Sequence, residues 1–414
     1  MADINFINQN RDKKDKNSVG EKKYSHNAFF IGLISFFGGI SQDIFAPILP
    51  LYLANVLNLD KSFIGLTEGL VKSSASIFKV VSGFLSDKFR RRKPIIFLGY
   101  FLSLVGRLFL AFATSGAGIL ALRFTDGAGK GMKDSPKDAL IADSTERSNR
   151  GKKFGLVRAL DTLGSVAGPL LLFLLLYLLK ENKLKYHYIF FATAFPLAIT
   201  LSLLSLFVKE TPYTGEKSQV PTSKSLPLRF YVFLGVMTVF SMGNSSEAFL
   251  ILRAQNVGVS LLAIPLVYAF FNFFYAFASI PLGSLSDKIG RERVILLGWL
   301  SYASAYFGFA FASRSYQIWI LFVLYGVYYA TAEGVAKAFI ADLVSSERRG
   351  RAYGIYNAAV GLMALPASAV AGFLWDKYNP SAPFLFGGGL AVLAILLLAA
   401  FKLFYRPNKV KLVL

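Results

Sequence analysis

The chain contains no cysteine and only two histidines, His26 and His187, among its 414 residues. Without cysteine the protein has no disulfide bond, no thiolate chemistry and no cysteine-based metal site. The sequence also has no Asp-Asp-x-x-Asp run, no His-Glu-x-x-His motif and no nucleotide-binding P-loop. We therefore expect no bound metal, no cofactor, no enzymatic activity and no direct use of ATP.

Charged residues are scarce as well. They make up 17% of the chain, whereas 54% is hydrophobic and phenylalanine alone numbers 40. A soluble chain would normally carry near a quarter charged residues. Because about 20 apolar residues cross a bilayer core of about 30 Å, the apolar runs predict an all-α membrane protein with twelve transmembrane helices. The predicted spans are 28–57, 62–86, 94–114, 117–141, 154–179, 187–208, 229–254, 259–285, 293–313, 316–343, 351–376 and 382–405.

The basic residues, which give a net charge of +21, are distributed unevenly. They cluster in both tails and in short connections on one side of the predicted spans, at 88–93, 147–153, 288–293 and 348–351. The opposite connections are poorer in lysine and arginine, with 180–185 as the exception. This asymmetry follows the positive-inside rule. We expect a multi-pass protein of the cell (inner) membrane with both termini in the cytoplasm, a lipid bilayer as its surroundings and no nucleic acid as a partner.

The two halves of the chain resemble each other. Segment 83–88, Gly-Phe-Leu-Ser-Asp-Lys, returns as Gly-Ser-Leu-Ser-Asp-Lys at 283–288, and segment 139–143 returns at 338–342. Such internal repeats are typical of transporters, whose substrate site lies at the repeat interface near the membrane midplane. We expect two pseudo-symmetric six-helix bundles. The predicted organisation is a cytoplasmic tail at 1–27, a first bundle at 28–208, a cytoplasmic linker at 209–228, a second bundle at 229–405 and a cytoplasmic tail at 406–414.

The connection after the second span resembles a known family pattern. The sequence Gly-Phe-Leu-Ser-Asp-Lys-Phe-Arg-Arg-Arg at 83–92 is similar to Gly-x-Leu-Ala-Asp-Arg-x-Gly-Arg-Lys of the major facilitator superfamily, with Arg90 at the second glycine. The second copy keeps Gly290. The resemblance implies a secondary transporter that works by alternating access, and it implies a conformational latch in these connections. The implied latch residues are Gly83, Asp87, Arg91, Gly283, Asp287 and Arg291.

Spans 4 and 5 resemble the bacterial drug/proton antiporters within this superfamily. Span 4 has the arginine and two glycines of the pattern Leu-x-x-x-Arg-x-x-Gln-Gly-x-Gly-Ala-Ala, but places Asp126 and Lys130 where Gln and Ala are usual. Span 5 keeps the spacing Gly, eight residues, Gly-x-x-x-Gly-Pro, which favours close helix packing. The resemblance implies proton-coupled export, with the arginine linked to proton transfer. The matching residues are Arg123, Gly127, Gly129, Gly155, Gly164, Gly168 and Pro169, of which the last three are expected to pack helices.

The later part of span 4 carries many charges. Asp126, Lys130, Asp134 and Asp138 follow at steps of four, so they share one helix face on which opposite charges can meet. Charges inside a membrane are costly and face a bundle interior or a wet cavity. The resemblance implies that spans 1, 4, 7 and 10 line a central cavity. Two interpretations stay open for these charges: proton coupling, or a static network of salt bridges that fixes helix packing.

Without a buried histidine, proton coupling has to use carboxylates that lie near cations. The candidate proton-coupling residues are Asp43, Arg123, Asp126, Arg158 and Asp161. The candidate cavity residues are Glu68, Lys130, Glu247, Tyr325, Tyr329, Glu333 and Lys337. Other charges in the spans are possible partners, among them Lys72, Lys79 and Arg107.

The sequence predicts a monomeric transporter that exports a small organic solute and is coupled to protons. Basic residues near the predicted cavity favour an anionic or zwitterionic solute. Efflux of lipophilic drugs and import of a nutrient or metal chelate are the alternatives. A membrane sensor that binds a ligand without transporting it is an alternative of a different class.

Overall fold

The structure is a computed structural model that describes residues 26–145, 149–211, 225–345 and 348–404, without the side chains of residues 150, 332–334 and 402–404. These ranges contain thirteen α-helices and no β-strand. The helices are α1 (Asn27–Asn55), α2 (Lys61–Phe89), α3 (Lys93–Leu110), α4 (Gly116–Asp143), α5 (Arg150–Leu178), α6 (Lys185–Leu206), α7 (Leu228–Gly243), α8 (Ala248–Asn256), α9 (Ile264–Ile289), α10 (Arg291–Phe311), α11 (Ser315–Leu343), α12 (Arg349–Lys377) and α13 (Ala382–Phe404).

The helices form twelve membrane spans, because α7 and α8 together make one interrupted span. Among the described residues, nine helices are long and apolar enough to cross a membrane. The other spans are the interrupted one and the two charged helices, α2 and α4. Helices α1 to α6 form the first bundle and α7 to α13 the second, so the predicted all-α membrane fold with two six-helix bundles is confirmed. Nearly all of the predicted tails and most of the predicted linker lie outside the described residues.

Span 7 is not the continuous helix predicted at 229–254. Helix α7 ends at Gly243 and α8 begins at Ala248, so the residues from Asn244 to Glu247 leave the helix. Asparagine and serine side chains compete with the helix for backbone hydrogen bonds, and a glycine precedes them here. The prediction was wrong because the hydropathy of the flanking residues concealed this helix-breaking sequence.

Helix α4 lies between α2 and α3, and three alternating glycines make this possible. A Cβ atom on Gly127, Gly129 or Gly131 would lie 2.1 to 2.5 Å from an atom of α2 or α3. Only a residue without a side chain allows such an approach. The glycine pattern of span 4 therefore brings its charged side chains into the centre of the first bundle.

Helices α1 and α5 also pack through glycine. A Cβ atom on Gly164 would lie 2.2 Å from the carbonyl oxygen of Phe36, and one on Gly168 would lie 2.8 Å from the carbonyl oxygen of Ile40. Pro169 follows in the same helix. Gly155, nine residues before Gly164 on α5, has no atom within 4 Å of an added Cβ.

We predict that Gly164→Ala lowers the thermal stability of the purified protein in detergent, because the new methyl group forces α1 and α5 apart. Overpacking of this kind costs about 1–3 kcal/mol. Gly155→Ala is the matched control and should hold or raise the unfolding temperature, because alanine favours a helix. Equal unfolding temperatures for the two variants would contradict the close contact between α1 and α5.

The two ends of the molecule differ. We call the end with Asp87 and Asp287 the motif end, and the other the opposite end. Towards the opposite end α2 packs tightly on α12, since a Cβ on Gly65 would lie 2.1 Å from the carbonyl oxygen of Ser368. There the Asp376 carboxylate of α12 accepts hydrogen bonds from the backbone N–H groups of residues 61 and 62, at 3.1 and 2.7 Å, and from the hydroxyl of Ser62 at 2.6 Å. The second bundle thus caps the N-terminus of a helix in the first and closes the opposite end.

We predict that Asp376→Ala favours opening of the opposite end, because it removes three hydrogen bonds between the bundles. Ser368→Cys places a buried reporter thiol at this contact in a chain that has no other cysteine. Its reaction with a maleimide should accelerate roughly tenfold in the Asp376→Ala background, since hydrogen bonds to charged groups are worth about 1.5–3 kcal/mol. Asp60→Ala is the control, because Asp60 precedes α2 without capping it by its side chain. The same acceleration in both backgrounds would show that the Asp376 cap does not hold this end closed.

Candidate functional site

A cavity of about 600 Å³ lies between the two bundles. Its walls come from α1 to α5 of the first bundle and from the break in span 7, α8, α9 and α11 of the second. An adjoining space shares four lining residues with the cavity and reaches Asp287; the shared residues are Arg158, Tyr275, Tyr329 and Lys337. The cavity therefore leads to the motif end, while α2 and α12 close the opposite end.

The cavity is lined by many charged side chains, of which more are basic than acidic. The basic residues are Lys72, Lys79, Arg123, Lys130, Lys133, Lys137, Arg158 and Lys337. The acidic residues are Asp43, Glu68, Asp134, Asp138, Asp161 and Glu247. A cavity with excess positive charge attracts anionic groups.

Asp126 lies at the centre of a buried charge cluster. Its carboxylate is 3.2 Å from Arg107 Nε, 3.2 Å from Arg123 Nη1 and 3.1 Å from Lys130 Nζ. The side chains of Asp126 and Arg107 are each 1% exposed. One carboxylate offsets only one of the three positive charges, so the cluster needs further acidic or polar partners.

Arg107 is held by α1. Its guanidinium donates hydrogen bonds to Ser41 Oγ at 2.6 Å and to Gln42 Oε1 at 2.7 Å. Arg107 and Arg123 each lie 5.2 Å from the ring centroid of Phe45. The sequence indicates Arg107 only as a partner for other charges, although an isolated arginine in an apolar span is itself a signal of a functional position.

The charge cluster continues to the second bundle. Arg123 Nη2 lies 2.5 Å from Glu68 Oε1, and the hydroxyl of Ser246, in the break of span 7, donates to Glu68 Oε2 at 3.3 Å. Lys72, one helical turn after Glu68, forms a 2.8 Å salt bridge with Glu247. Two polar contacts therefore join α2 to the break in span 7, across the cavity.

Asp43 differs from Asp126. It lines the cavity, is 8% exposed, and forms no ion pair with any described residue. Ser165 of α5 lines the same cavity. Asp161, one turn earlier on α5, is paired with Arg158 at 3.5 Å, and Arg158 also donates to the hydroxyl of Tyr275 in the second bundle.

The charges of α4 beyond Asp126 and Lys130 contact neighbouring helices. Asp134 pairs with Lys79 of α2 at 3.6 Å. Lys137 donates to Ser35 of α1 at 3.2 Å. Lys133 lies 4.4 Å from the ring centroid of Tyr100 on α3. These contacts hold α4 in the bundle and leave the same side chains along the cavity wall.

The candidates on span 10 have different surroundings. Tyr329 and Lys337 line the cavity. Tyr325 does not, because it is buried among Tyr302, Tyr306 and Tyr328, with its hydroxyl 3.5 Å from Glu247. The side chain of Glu333 lies outside the described residues.

The two motif connections carry matching ion pairs. In the first, Arg92 lies 3.4 Å from Asp87 and 2.6 Å from Asp143. In the second, Arg291 lies 3.8 Å from Asp287 and 2.8 Å from Asp342. Each arginine thus joins the second span of its bundle to the end of the fourth span.

The structure places Arg92, and not Arg91, in the position equivalent to Arg291. The first connection has one more residue between its aspartate and its arginine, and Arg90 takes up the turn with a left-handed φ of 54°. Gly290 takes a φ of 96° at the corresponding turn. The glycines of the motif differ too: an added Cβ on Gly83 would lie 2.9 Å from Ser135, whereas one on Gly283 meets nothing within 4 Å.

The chain matches the Major Facilitator Superfamily over residues 31–252 and 231–413. It is 36% identical over 395 residues to an uncharacterised MFS-type transporter of Methanocaldococcus jannaschii. This match covers 92% of this chain and 96% of the relative. The chain belongs to the Major Facilitator Superfamily. It is therefore a multi-pass secondary transporter that works by alternating access, and not an enzyme.

Two further likenesses agree with this family. The class B tetracycline resistance protein of Escherichia coli is 22% identical over 390 residues, covering 87% of this chain and 92% of that protein. A crystal structure of the nucleoside transporter NupG has a TM-score of 0.71 at 14% identity and covers 92% of this chain and 99% of NupG. The NupG likeness concerns the fold alone. In a superfamily transporter, a cavity open at one end is one of the two states that alternating access requires.

Proposed function

We propose that this transporter exports a small anionic or zwitterionic organic solute in exchange for protons. The observation that carries the proposal is the buried cluster in which Arg107, Arg123 and Lys130 surround the single carboxylate of Asp126. Glu68 supplies only one more negative charge. Nε of Arg123 is buried and has no hydrogen-bond partner among the described residues. An anionic group of a solute would supply the missing counter-charge.

We further propose that the motif end faces the cytoplasm and that the protein works as a monomer. The excess of basic residues in the connections of this end supports the orientation. With this orientation the cavity opens to the cytoplasm, where an exporter takes up its solute. The likeness to a tetracycline resistance protein supports the direction of transport.

Asp43 is better placed than Asp126 to carry the proton. Protonation of Asp126 would leave three buried cations beside a neutral group, which is costly. Protonation of Asp43 leaves no described cation without a partner. Asp43 also lies beside α5, whose Arg158–Asp161 pair reaches Tyr275 of the second bundle. A change in the charge of Asp43 therefore alters the electrostatic surroundings of the contact between Arg158 and Tyr275, which joins the two bundles.

Solute binding can be coupled to the closed end through Glu68. A solute anion that binds Arg123 competes with Glu68 for the guanidinium. Glu68 also holds Ser246, and the adjacent Lys72–Glu247 salt bridge joins the same two elements. Loosening these contacts weakens the hold of α2 on the break in span 7, so the bundles can separate at the opposite end.

The efflux of lipophilic drugs is the second candidate, and the likeness to a protein named for tetracycline resistance favours it. The many cavity charges oppose it, because a lipophilic ligand does not compensate them. Import of a nutrient or metal chelate is the third. The two directions use the same cavity and differ in the end at which the solute is taken up.

We predict that organic anions or zwitterions raise the unfolding temperature of the purified protein, since a ligand of the native state stabilises it by mass action. Arg123→Ala should weaken this stabilisation, whereas Arg314→Ala, in the connection before α11, is the control and should retain it. The measurement is a thermal-shift screen with organic anions, zwitterions, lipophilic cations and metal chelates. Stabilisation by lipophilic cations alone would favour drug efflux and contradict an anionic solute.

We predict that Asp43→Asn uncouples transport from protons. In proteoliposomes the variant should still exchange solute at equal pH, but a pH gradient should no longer drive accumulation. Asp126→Asn should instead lower the thermal stability, because breaking a buried ion pair costs about 3–5 kcal/mol. Asp138→Asn, at an exposed position of the cavity wall, is the control. Full gradient-driven accumulation by Asp43→Asn would refute the assignment of this carboxylate as the proton carrier.

A further inference from the structure

A separate pocket, of about 220 Å³, lies inside the second bundle beside the break in span 7. We call it the aromatic side pocket. It is bounded by α7, α10, α11 and α12. Its lining includes Phe240, Asn244, Trp299, Tyr329, Lys337 and Val360. Five of the fourteen lining residues are aromatic, and only one, Lys337, is charged.

The aromatic side pocket adjoins the charged cavity. Tyr329 and Lys337 line both spaces. Asn244 of the side pocket and Glu247 of the charged cavity are three residues apart, which bounds their Cα separation at about 11 Å. One solute of ordinary size therefore reaches both environments at once.

A polar atom in the pocket wall is left without a partner. The Nδ2 atom of Asn244 donates to the hydroxyl of Tyr328 at 2.9 Å. The Oδ1 atom of the same side chain is buried and has no hydrogen-bond partner among the described residues. A buried acceptor without a donor is unfavourable, so a ligand that supplies an N–H or O–H group gains binding energy there.

We propose that the aromatic side pocket binds an aromatic ring of the exported solute, with a ring N–H or O–H donated to Asn244 and the anionic group reaching into the charged cavity. The substrate class is then an aromatic organic acid with a hydrogen-bond donor on its ring. This inference rests on the proposed function, since it takes the anionic end of the solute from it.

The dimensions of the pocket agree with a ring. An engineered cavity of about 150 Å³ admits benzene, and this pocket is larger. Rings bind well against aromatic walls through offset stacking and edge-to-face contacts. Phe240 and Trp299 already stack, with ring centroids 4.7 Å apart, and so form a flat surface in the pocket wall.

The first test compares three probes that share an acetate group. Indole-3-acetate has an aromatic ring with a donor, 1-methylindole-3-acetate lacks the donor, and cyclohexylacetate lacks the aromatic ring. Binding to the purified full-length protein is measured by thermal shift and titration calorimetry. We expect indole-3-acetate to bind roughly tenfold more tightly than its methylated analogue, the factor that one hydrogen bond supplies. Cyclohexylacetate should bind more weakly still.

Two variants locate the binding in the side pocket. In Asn244→Ala the difference between indole-3-acetate and its methylated analogue should disappear, a comparison made within one variant and independent of its stability. Val360→Phe places a phenyl ring in the pocket and should lower the affinity for indole-3-acetate at least roughly tenfold, because the buried contacts of the indole ring are lost. Val370→Phe is the matched control on the same helix, because Val370 is 37% exposed and lies outside both spaces.

The outcomes separate this inference from the proposed function. Equal affinity for indole-3-acetate and cyclohexylacetate, with both weakened by Arg123→Ala, would overturn the aromatic side pocket and leave an anionic solute. Absence of binding by indole-3-acetate at millimolar concentration would overturn the side pocket as well. Binding of the cation tryptamine in preference to indole-3-acetate would overturn the proposed anionic solute. If tryptamine binding were then lost in Val360→Phe, the pocket would still be the site of the ring.

Discussion

The meeting of three cations at the carboxylate of Asp126 is the constraint on which the first bundle depends. Arg107 of α3 and Arg123 and Lys130 of α4 would each be costly alone in the membrane interior. Together with Asp126 and Glu68 they form a network that α1 completes through Ser41 and Gln42. The helices therefore have to converge on this point, and their relative positions follow from it.

Glycine makes this convergence possible. The residues Gly127, Gly129 and Gly131 let α4 approach α2 and α3 on both sides, while Gly164 and Gly168 let α5 approach α1. The close packing removes lipid from the charges, and the charges in turn fix the register of the closely packed helices. Without the close glycine packing the charges would lose their partners, and unpaired charges in the membrane are costly. Without the paired charges the polar helix α4 would lack the contacts that hold it in the bilayer.

The same network joins the two bundles. Glu68 contacts the second bundle at Ser246, and Lys72 does so at Glu247. Both contacts reach the non-helical residues of span 7, where backbone and side chains meet the cavity. At the opposite end Asp376 caps α2, so the one helix α2 takes part in the charge cluster, the cavity wall and the closed end. The single helix α2 thus joins the charge cluster to the contact that closes the opposite end.

The sequence by itself determined the fold class, the twelve spans and the twofold repeat, because hydropathy and spacing are local properties of the chain. It also predicted that Asp126 and Lys130 would share one helix face, since a helix sets the positions of residues four apart. Only the tertiary structure decided that Arg107 joins them, that Asp43 forms no ion pair with a described cation, and that Arg92 pairs with Asp143. These contacts join residues on different helices, and no periodicity along one helix encodes them. The break in span 7 was partly encoded in the sequence, because Gly243, Asn244 and the serines after it disfavour a helix. Only the tertiary structure shows that the break faces Glu68 and Lys72 of α2.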